Sequence, residues 1–248
     1  MTTAKRAAHN AAPKPVRTLA IDIGGTGIKS MVLDEAGNPL TERVRTETPQ
    51  PAIPSAVVDV IAEQINHHGE FDRVSVGFPG VVHNGVIATA ANLDRSWVGF
   101  DLASTLEKRT GRPTRVINDA DVQGYAVIEG SGVELVLTLG TGLGSALYVD
   151  GHLVPNIELA HHPFSKGRTY EECVGVKALK KNGRKRWRKD VRRMIEQLEK
   201  IINYRQLYVG GGNAKKLDGA LPANVRVIDN TAGLIGGIAL WRDRFSSQ

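Results

Sequence analysis

Two short apolar segments of this chain each end in a cluster of glycines that leads into a second strand-like segment, and this repeated pattern limits the folds available. The first reads TLAIDIGGTGIK from Thr18, and the second reads LVLTLGTGLGSALYV from Leu135. Apolar runs of this length predict buried strands, and the glycines predict the turns of two hairpins, over 18–33 and 134–149. In both places the glycines lie between two strands rather than before a helix. This argues against a dinucleotide-binding loop, and the chain also lacks the G-x-x-x-x-G-K-[ST] pattern of a P-loop.

The rest of the chain alternates between helix and strand patterns. Predicted helices cover 55–66, 101–109 and 232–241, and predicted strands cover 74–80, 115–119 and 207–212. This alternation predicts an α/β fold, and the repeated hairpin suggests two similar halves. Residues 1–16, rich in Ala, Lys and Pro, are predicted to form a flexible tail.

The composition excludes several classes of protein. The 248 residues are 41% hydrophobic and 23% charged, as is usual for a folded globular chain. No apolar run approaches the ~20 residues that cross a bilayer, and the N-terminus lacks the apolar centre of a secretory signal. The chain has one cysteine, Cys173, which cannot form an internal disulfide and is typical of a reducing compartment, so a cytoplasmic location is expected.

The positive charge is concentrated in one segment. Residues 177–193 contain ten basic side chains and one acidic one, whereas the remaining residues contain 22 basic and 25 acidic ones. Such a segment attracts a polyanion, although a solvated helix face has the same composition. From Lys185 to Tyr204 the apolar residues recur in steps of three and four, which predicts an amphipathic helix packed on the core. These apolar residues are Trp187, Val191, Met194, Ile195, Leu198, Ile201 and Ile202.

The glycine turns are candidate phosphate-binding groups. Glycine lets backbone N–H groups approach a phosphate closely, and a third glycine cluster ends the strand at 207–212. Asp22 is a candidate to hold Mg²⁺ through water. Plain tight turns are the alternative interpretation. The candidate phosphate-binding residues are Asp22, Gly24, Gly25, Thr26, Gly27, Lys29, Gly140, Thr141, Gly142, Gly210, Gly211 and Gly212.

Asp119 is a candidate general base because it follows Asn118 where a predicted strand gives way to a helix. A carboxylate fixed at such a point can accept the proton of an attacking hydroxyl. The alternative is that Asp119 only caps the helix.

Further carboxylates and imidazoles are suited to pair with sugar hydroxyls. Glu158 and His161 lie three residues apart, followed by Glu171 and Glu172, and exposed loop side chains are the alternative for each. The histidines at 67, 68 and 162 are interpreted as surface residues without a chemical role.

Taken together, these motifs resemble the ROK family of sugar kinases, and within it the members that use inorganic polyphosphate. The resemblance covers nearly the whole chain, from about Thr18 to Trp241, in the order that the family shows. It is carried by DIGGTGIK (22–29), FPG (78–80), TAANLDRSW (89–97), NDAD (118–121), LTLGTGLGSALYVDG (137–151), NIELAHH (156–162) and VGGG (209–212).

The resemblance implies an actin/hexokinase-like α/β fold with two RNase H-like lobes. A smaller lobe would cover 17–117, completed by a C-terminal helix over 230–243, and a larger lobe would cover 118–229 with the basic helix at 177–203. Asp119 would be the catalytic base that acts on the sugar 6-hydroxyl. The implied sugar-binding residues are Gly80, Asn92, Asn118, Asp119, Glu158, His161 and a glutamate at 171 or 172, of which Glu172 is favoured.

The implied reaction moves a phosphoryl group from polyphosphate, and also from ATP, to the 6-hydroxyl of glucose, with Mg²⁺ as cofactor. Most ROK kinases carry a zinc site of one His and three Cys, and with Cys173 alone no zinc is expected here. The basic segment would hold the polyphosphate along the rim of the cleft. The residues predicted to do so are Lys180, Lys181, Arg184, Lys185, Arg186 and Arg188.

Two other functions stay open at this point. An ATP-only ROK kinase of another hexose, such as mannose or N-acetylmannosamine, would keep every motif and leave the basic helix as plain surface. A nucleic-acid-binding regulator of the same family would need a DNA-binding domain, and only about 17 residues precede the first strand. Neither nucleic acid nor membrane is therefore expected as a partner, and homodimer formation is left open.

Overall fold

The computed structural model describes residues 14–90, 93–228 and 232–241. Most of the predicted tail (1–13), Asn92, and residues 230–231 and 242–243 of the predicted C-terminal helix lie outside the described residues. The elements of the first part are β1 (Thr18–Ile23), β2 (Ile28–Leu33), β3 (Val44–Thr46), α1 (Pro54–Ile65), β4 (Arg73–Phe78), β5 (Val82–His83), β6 (Val86–Ile87), α2 (Leu102–Thr110), β7 (Thr114–Asn118) and α3 (Asp119–Tyr125). Those of the second part are β8 (Val133–Leu139), β9 (Leu143–Val149), β10 (His152–Val154), β11 (Pro163–Ser165), β12 (Arg168–Thr169), α4 (Tyr170–Val174), α5 (Val176–Ile202), β13 (Gln206–Gly210), β14 (Val225–Val227) and α6 (Ala232–Ile235).

Two five-stranded sheets with the same topology organise the chain. The first has the order β3-β2-β1-β4-β7 and the second β10-β9-β8-β13-β14. In each sheet a hairpin, β1–β2 or β8–β9, is extended by two parallel strands. The two predicted hairpins and the similarity of the two halves are therefore present in the structure.

Each sheet has its own hydrophobic core. Under the first sheet, Val57 and Ile61 of α1 and Leu106 of α2 are fully buried against the strands. Under the second sheet, the strands pack against α4 and the long helix α5. Apolar residues at helical spacing on one side and near-continuous apolar strands on the other explain why each half folds into two layers.

Helix α5 is broken within the basic segment. Gly183 has φ 75° and ψ 162°, which is not helical and which a residue with a side chain rarely adopts, so the helix is divided there. The predicted stripe is buried from Trp187 to Leu198. Ile201, predicted to lie on this stripe, is 62% exposed instead, whereas the last residue of the helix, Ile202, packs against the core.

The C-terminal segment packs on the first sheet. Leu234 and Ile238 lie against Ala20 and Met31. Of its described residues, 232–235 are α-helical and 236–241 form a 3-10 helix. Gly236 approaches α3 so closely that an added Cβ would lie 1.7 Å from the carbonyl oxygen of Val122.

The carboxyl ends of the parallel strands of both sheets point toward the same region. β1, β4, β7, β8 and β13 end at residues 23, 78, 118, 139 and 210, and the glycine turns and Asp119 follow directly. In α/β sheets this is where ligands bind. Within the described ranges, no helix has both the length and the apolar character needed to span a bilayer.

Candidate active site

A cleft of about 700 Å³ lies at these strand ends, between the two sheets. It brings together most of the residues predicted from the sequence. These are Asp22, Gly24, Gly25, Thr26, Gly27, Lys29, Gly80, Asn118, Asp119, Gly140, Thr141, Gly142, Glu158, His161, Lys180, Gly211 and Gly212.

Other predicted residues do not line the cleft. Gly210 is buried at the end of β13, and Glu172 and the basic residues from Lys181 to Arg188 lie outside the lining. Asn92 lies outside the described residues.

The first glycine turn is held by its own backbone and by a neighbouring threonine. Gly24 N–H donates to the Gly27 carbonyl oxygen at 3.0 Å, and the Thr48 hydroxyl donates to the Gly24 carbonyl oxygen at 2.5 Å. Beside the turn, Lys29 Nζ donates to Asp22 Oδ2 at 2.6 Å, and both side chains are mostly buried. The turn is thus a backbone loop held by hydrogen bonds, and it lies next to an ion pair in which the charges of Lys29 and Asp22 balance each other.

The second glycine turn is tied to the turn after β13. Gly140 N–H donates to the Gly142 carbonyl oxygen at 3.1 Å, and Asn213 Nδ2 donates to the Gly140 carbonyl oxygen at 2.9 Å. Gly211 has φ 85°, and an added Cβ would lie 2.6 Å from the Leu139 carbonyl oxygen. Glycine is therefore required where these two turns meet.

Asp119 is the first residue of α3, and its neighbour provides the helix cap. The Asn118 side-chain oxygen accepts the backbone N–H groups of Ala120 at 2.8 Å and of Asp121 at 3.3 Å. Asp119 Oδ1 also accepts from Ala120 N–H at 2.8 Å. Asn118, rather than Asp119, is thus the main cap of α3. The Asn118 amide also donates to the Gly80 carbonyl oxygen at 3.1 Å.

The surroundings of Asp119 favour its protonated form. Burial at the floor of the cleft, followed by the nearby negative charges of Asp22 and Glu158, raises the pKa of Asp119 to about 7, although Lys29 partly opposes this. Burial also raises the pKa of Glu158. A carboxyl group with a pKa near neutrality can take up and release a proton at physiological pH.

The structure places Glu171, rather than the favoured Glu172, in the cleft. Glu171 lines it, and its Oε2 accepts the Leu143 N–H at 3.0 Å. The Glu172 side chain is exposed and completes a capping box, in which its Oε2 accepts the Thr169 N–H at 2.8 Å. The expectation for Glu172 is corrected, because capping α4 turns its carboxylate away from the cleft.

Within the described ranges, some side chains of the basic segment form ion pairs and others do not. Arg186 contacts Asp190 at 3.2 Å, and Arg188 contacts Asp218 at 2.5 Å. Arg188 also donates to the Lys216 carbonyl oxygen at 2.7 Å. Both arginines are therefore engaged within the protein. The members of the predicted polyphosphate-binding set that have no ion pair with any described residue are Lys180, Lys181, Arg184 and Lys185.

The cleft also contains residues that the sequence did not single out. Arg45 lies over the first glycine turn, where its Nη2 donates to the Thr26 carbonyl oxygen at 3.3 Å. Gln123 and Asn213 line the cleft near the second turn, together with Thr138. The spacing of Gln123, one helical turn after Asp119, is a signal that could have found it.

The two duplicated sheets, with glycine turns on both sides of a half-buried carboxylate, define a two-lobed phosphotransferase of the actin/hexokinase-like fold. The chain belongs to the ROK family, whose model matches residues 18–156. Over 233 residues it is 36% identical to a polyphosphate glucokinase of Mycobacterium tuberculosis (strain CDC 1551 / Oshkosh), covering 87% of this chain and 88% of that one.

Solved structures give the same assignment. An inorganic polyphosphate/ATP-glucomannokinase from Arthrobacter sp. strain KM superposes with a TM-score of 0.81 at 36% identity, over 90% of this chain and 97% of that one. A ROK family glucokinase from Streptomyces griseus, solved with glucose and AMPPNP, shares the fold with a TM-score of 0.74 at 21% identity, over 90% and 98% of the two chains.

Proposed function

We propose that this chain transfers a phosphoryl group from inorganic polyphosphate, and also from ATP, to the 6-hydroxyl of glucose. The observation that carries the proposal is Asp119, a carboxyl group with a pKa near 7 at the floor of a cleft with glycine turns in both walls. The polyphosphate glucokinase and glucomannokinase relatives support the choice of donor and acceptor.

In the proposed reaction Asp119 is the catalytic base. The sugar oxygen attacks the terminal phosphorus of the donor, and its proton passes to the Asp119 carboxylate as the new O–P bond forms. The bond between that phosphorus and the bridging oxygen breaks, which leaves polyphosphate shortened by one phosphate, or ADP. The products are glucose 6-phosphate and the shortened donor.

The sugar would be held on the side of the cleft formed by Asn118, Glu158, His161 and Glu171. Glu158 Oε2 and His161 Nε2 are 3.9 Å apart, so the two can bind neighbouring hydroxyls. Closure of the proposed lobes 17–117 and 118–229 over both substrates would exclude water, which competes as acceptor.

The residues present fit a magnesium ion that accompanies the donor. The negative charge of Asp22 is close enough to raise the pKa of Asp119, and both carboxylates line the same cleft. Among the described residues no group of three or more His, Cys, Asp or Glu side chains could hold a metal. Asp22 would hold the ion through water, with donor phosphates completing the shell as Mg²⁺ prefers. Bound there, Mg²⁺ neutralises charge on the phosphoryl oxygens.

The rest of the polyphosphate chain would leave the cleft along the start of α5. Lys180 lines the cleft, and Lys181, Arg184 and Lys185 continue from it as exposed cations. A polyanion carries charge along its whole length, so this contact would be stronger for polyphosphate than for ATP. Binding through such contacts weakens steeply as salt concentration rises.

The experiment is to measure glucose 6-phosphate formation with polyphosphate and with ATP at two salt concentrations. We expect turnover with both donors, and a KM for polyphosphate that rises more with salt. The double variant Lys181→Glu/Arg184→Glu is compared with Lys108→Glu/Lys200→Glu, which changes the net charge equally at exposed sites elsewhere. The first pair should raise the KM for polyphosphate selectively, and equal effects of both pairs would contradict the polyphosphate path.

The second candidate is an ATP-only kinase of mannose or N-acetylmannosamine. It predicts no turnover with polyphosphate and the same weak salt effect for every variant. Comparing glucose, mannose and N-acetylmannosamine with ATP as donor separates the acceptors.

A further inference from the structure

Gln123 occupies an unusual position in the cleft. It lies on α3 four residues after Asp119, so the two side chains project from the same face of one helix. Its side chain lines the cleft, and the residue is 8% exposed. A rigid helix therefore holds this amide at a fixed place relative to the proposed base.

No hydrogen bond among the described residues accounts for a buried amide at position 123. Its Oε1 atom is buried without a partner, and no hydrogen bond to the side chain is found within residues 14–90, 93–228 and 232–241. The buried Gln64 also has an Oε1 without a partner, but its Nε2 donates to the Ile28 carbonyl oxygen and to the Thr46 hydroxyl, so that amide has the structural role that Gln123 lacks. A buried polar group that forms no hydrogen bond lowers stability, so an apolar side chain would serve the fold of α3 better.

The direction of the amide follows from its contact with β13. A Cβ added to Gly210 would lie 2.7 Å from Gln123 Oε1, so the oxygen covers the end of that strand. Gly211 and Gly212 follow at once and line the cleft. Since Oε1 is the covered atom, Nε2 is the polar atom left to face the cleft beside this turn.

We infer that Gln123 is a binding residue for the phosphoryl donor, and that its Nε2 donates a hydrogen bond to a phosphoryl oxygen. An N–H group beside glycine backbone is suited to an anionic oxygen, and such charge-assisted bonds are stronger than neutral ones. The inference rests on the proposed function, because it assigns the turn after β13 to the phosphoryl donor. It adds that one helix holds both the donor and the base.

The test uses two variants that keep the length of the side chain. Gln123→Met removes the amide and preserves packing, and Gln123→Glu replaces the donor group with a negative charge. With the wild type turning over glucose and polyphosphate, we expect Gln123→Met to raise the KM for polyphosphate roughly 10-fold and Gln123→Glu to raise it more. The KM for glucose should stay within about twofold, and Gln123→Met should melt at the same or a higher temperature.

Binding of tripolyphosphate by calorimetry, in the absence of glucose, gives a readout that does not depend on turnover. A weaker Kd in both variants supports the inference even if the wild type fails to phosphorylate glucose, an outcome that would contradict only the proposed function. An unchanged KM and Kd for the donor in both variants would overturn the inference about Gln123. A lower melting temperature with unchanged donor affinity would overturn it too, because the amide would then be structural.

Discussion

Asn118 caps the helix whose first residue is Asp119, since its side-chain oxygen accepts the N–H groups of Ala120 and Asp121. Two neighbouring residues thus divide two tasks, fixing the helix and presenting a carboxylate to the cleft. Because the helix does not depend on Asp119 for its main cap, position 119 can be changed with α3 still in place.

Replacing Asp119 by Asn should separate binding from chemistry. The amide keeps the shape of the side chain but cannot accept a proton, so we expect kcat to fall by ~10²-fold or more. Glucose binding, measured by calorimetry or fluorescence, should be retained. Near-normal turnover in Asp119→Asn would show that another group accepts the proton.

The raised pKa of Asp119 predicts that this residue costs stability at high pH. The folded state holds the proton up to a pH of about 7, whereas an unfolded aspartate releases it near 3.8. The unfavourable contribution is therefore absent below the unfolded value, grows as the pH rises between the two values, and is complete above the folded one.

Asp119→Asn should consequently melt above the wild type by roughly 2–10 °C at pH 8. The difference should become smaller at pH 5, where the wild type is protonated only in its folded state. Thermal melts of both proteins at the two pH values provide the measurement, and a difference that grows on acidification would contradict the raised pKa.

The adjacent glutamates at 171 and 172 form a matched pair for a test of the sugar site. Glu171→Gln alters a carboxylate that lines the cleft, so we expect the KM for glucose to rise roughly 10-fold. Glu172→Gln lies in the exposed capping box and should leave that KM within about twofold. The reverse result would restore the assignment made from the sequence.

Chelation tests the metal assignments. Removing Mg²⁺ with a chelator should stop phosphoryl transfer, because charge on the donor would no longer be neutralised. The melting temperature should not change, since Cys173 is the one cysteine of the chain and no structural zinc is expected. A protein that melts earlier with chelator would indicate a structural metal.

The sequence predicted well those features that depend on neighbours along the chain. The hairpins β1–β2 and β8–β9 follow from apolar runs that meet at glycines. The carboxylate at 119 follows from its place at a strand end. In each case a short pattern determines both the local structure and its position at the cleft.

Features that depend on how elements pack were missed. Successive side chains of a helix point in directions about 100° apart around its axis. Whether residue 171 or residue 172 faces the cleft therefore depends on how the short helix α4 is rotated against its neighbours. His68, predicted from the sequence to lie at the surface, is buried, and its ring nitrogens contact the hydroxyls of Ser30 at 2.9 Å and Thr41 at 3.0 Å. The break at Gly183 was missed because a single glycine is compatible with a continuous helix.

The position of Arg45 also depends on packing and was not predicted from the sequence. Strand β3 pairs with β2 so that Arg45 lies opposite Lys29, and no local sequence pattern predicts that register. Its guanidinium covers the first glycine turn, with Nη2 2.8 Å from the position of a Cβ added to Gly27. Lys29 is compensated by Asp22, whereas no ion pair of Arg45 is found in the described part of the chain. We therefore expect Arg45 to attract the donor.

Arg45→Gln should raise the KM for polyphosphate and for ATP roughly 10-fold, and the effect should shrink at high salt. Arg43→Gln is the matched control, because it removes the same charge from an exposed residue that does not line the cleft. Steady-state kinetics with both donors at two salt concentrations provide the measurement. Equal donor KM values in the two variants would show that Arg45 only covers the turn.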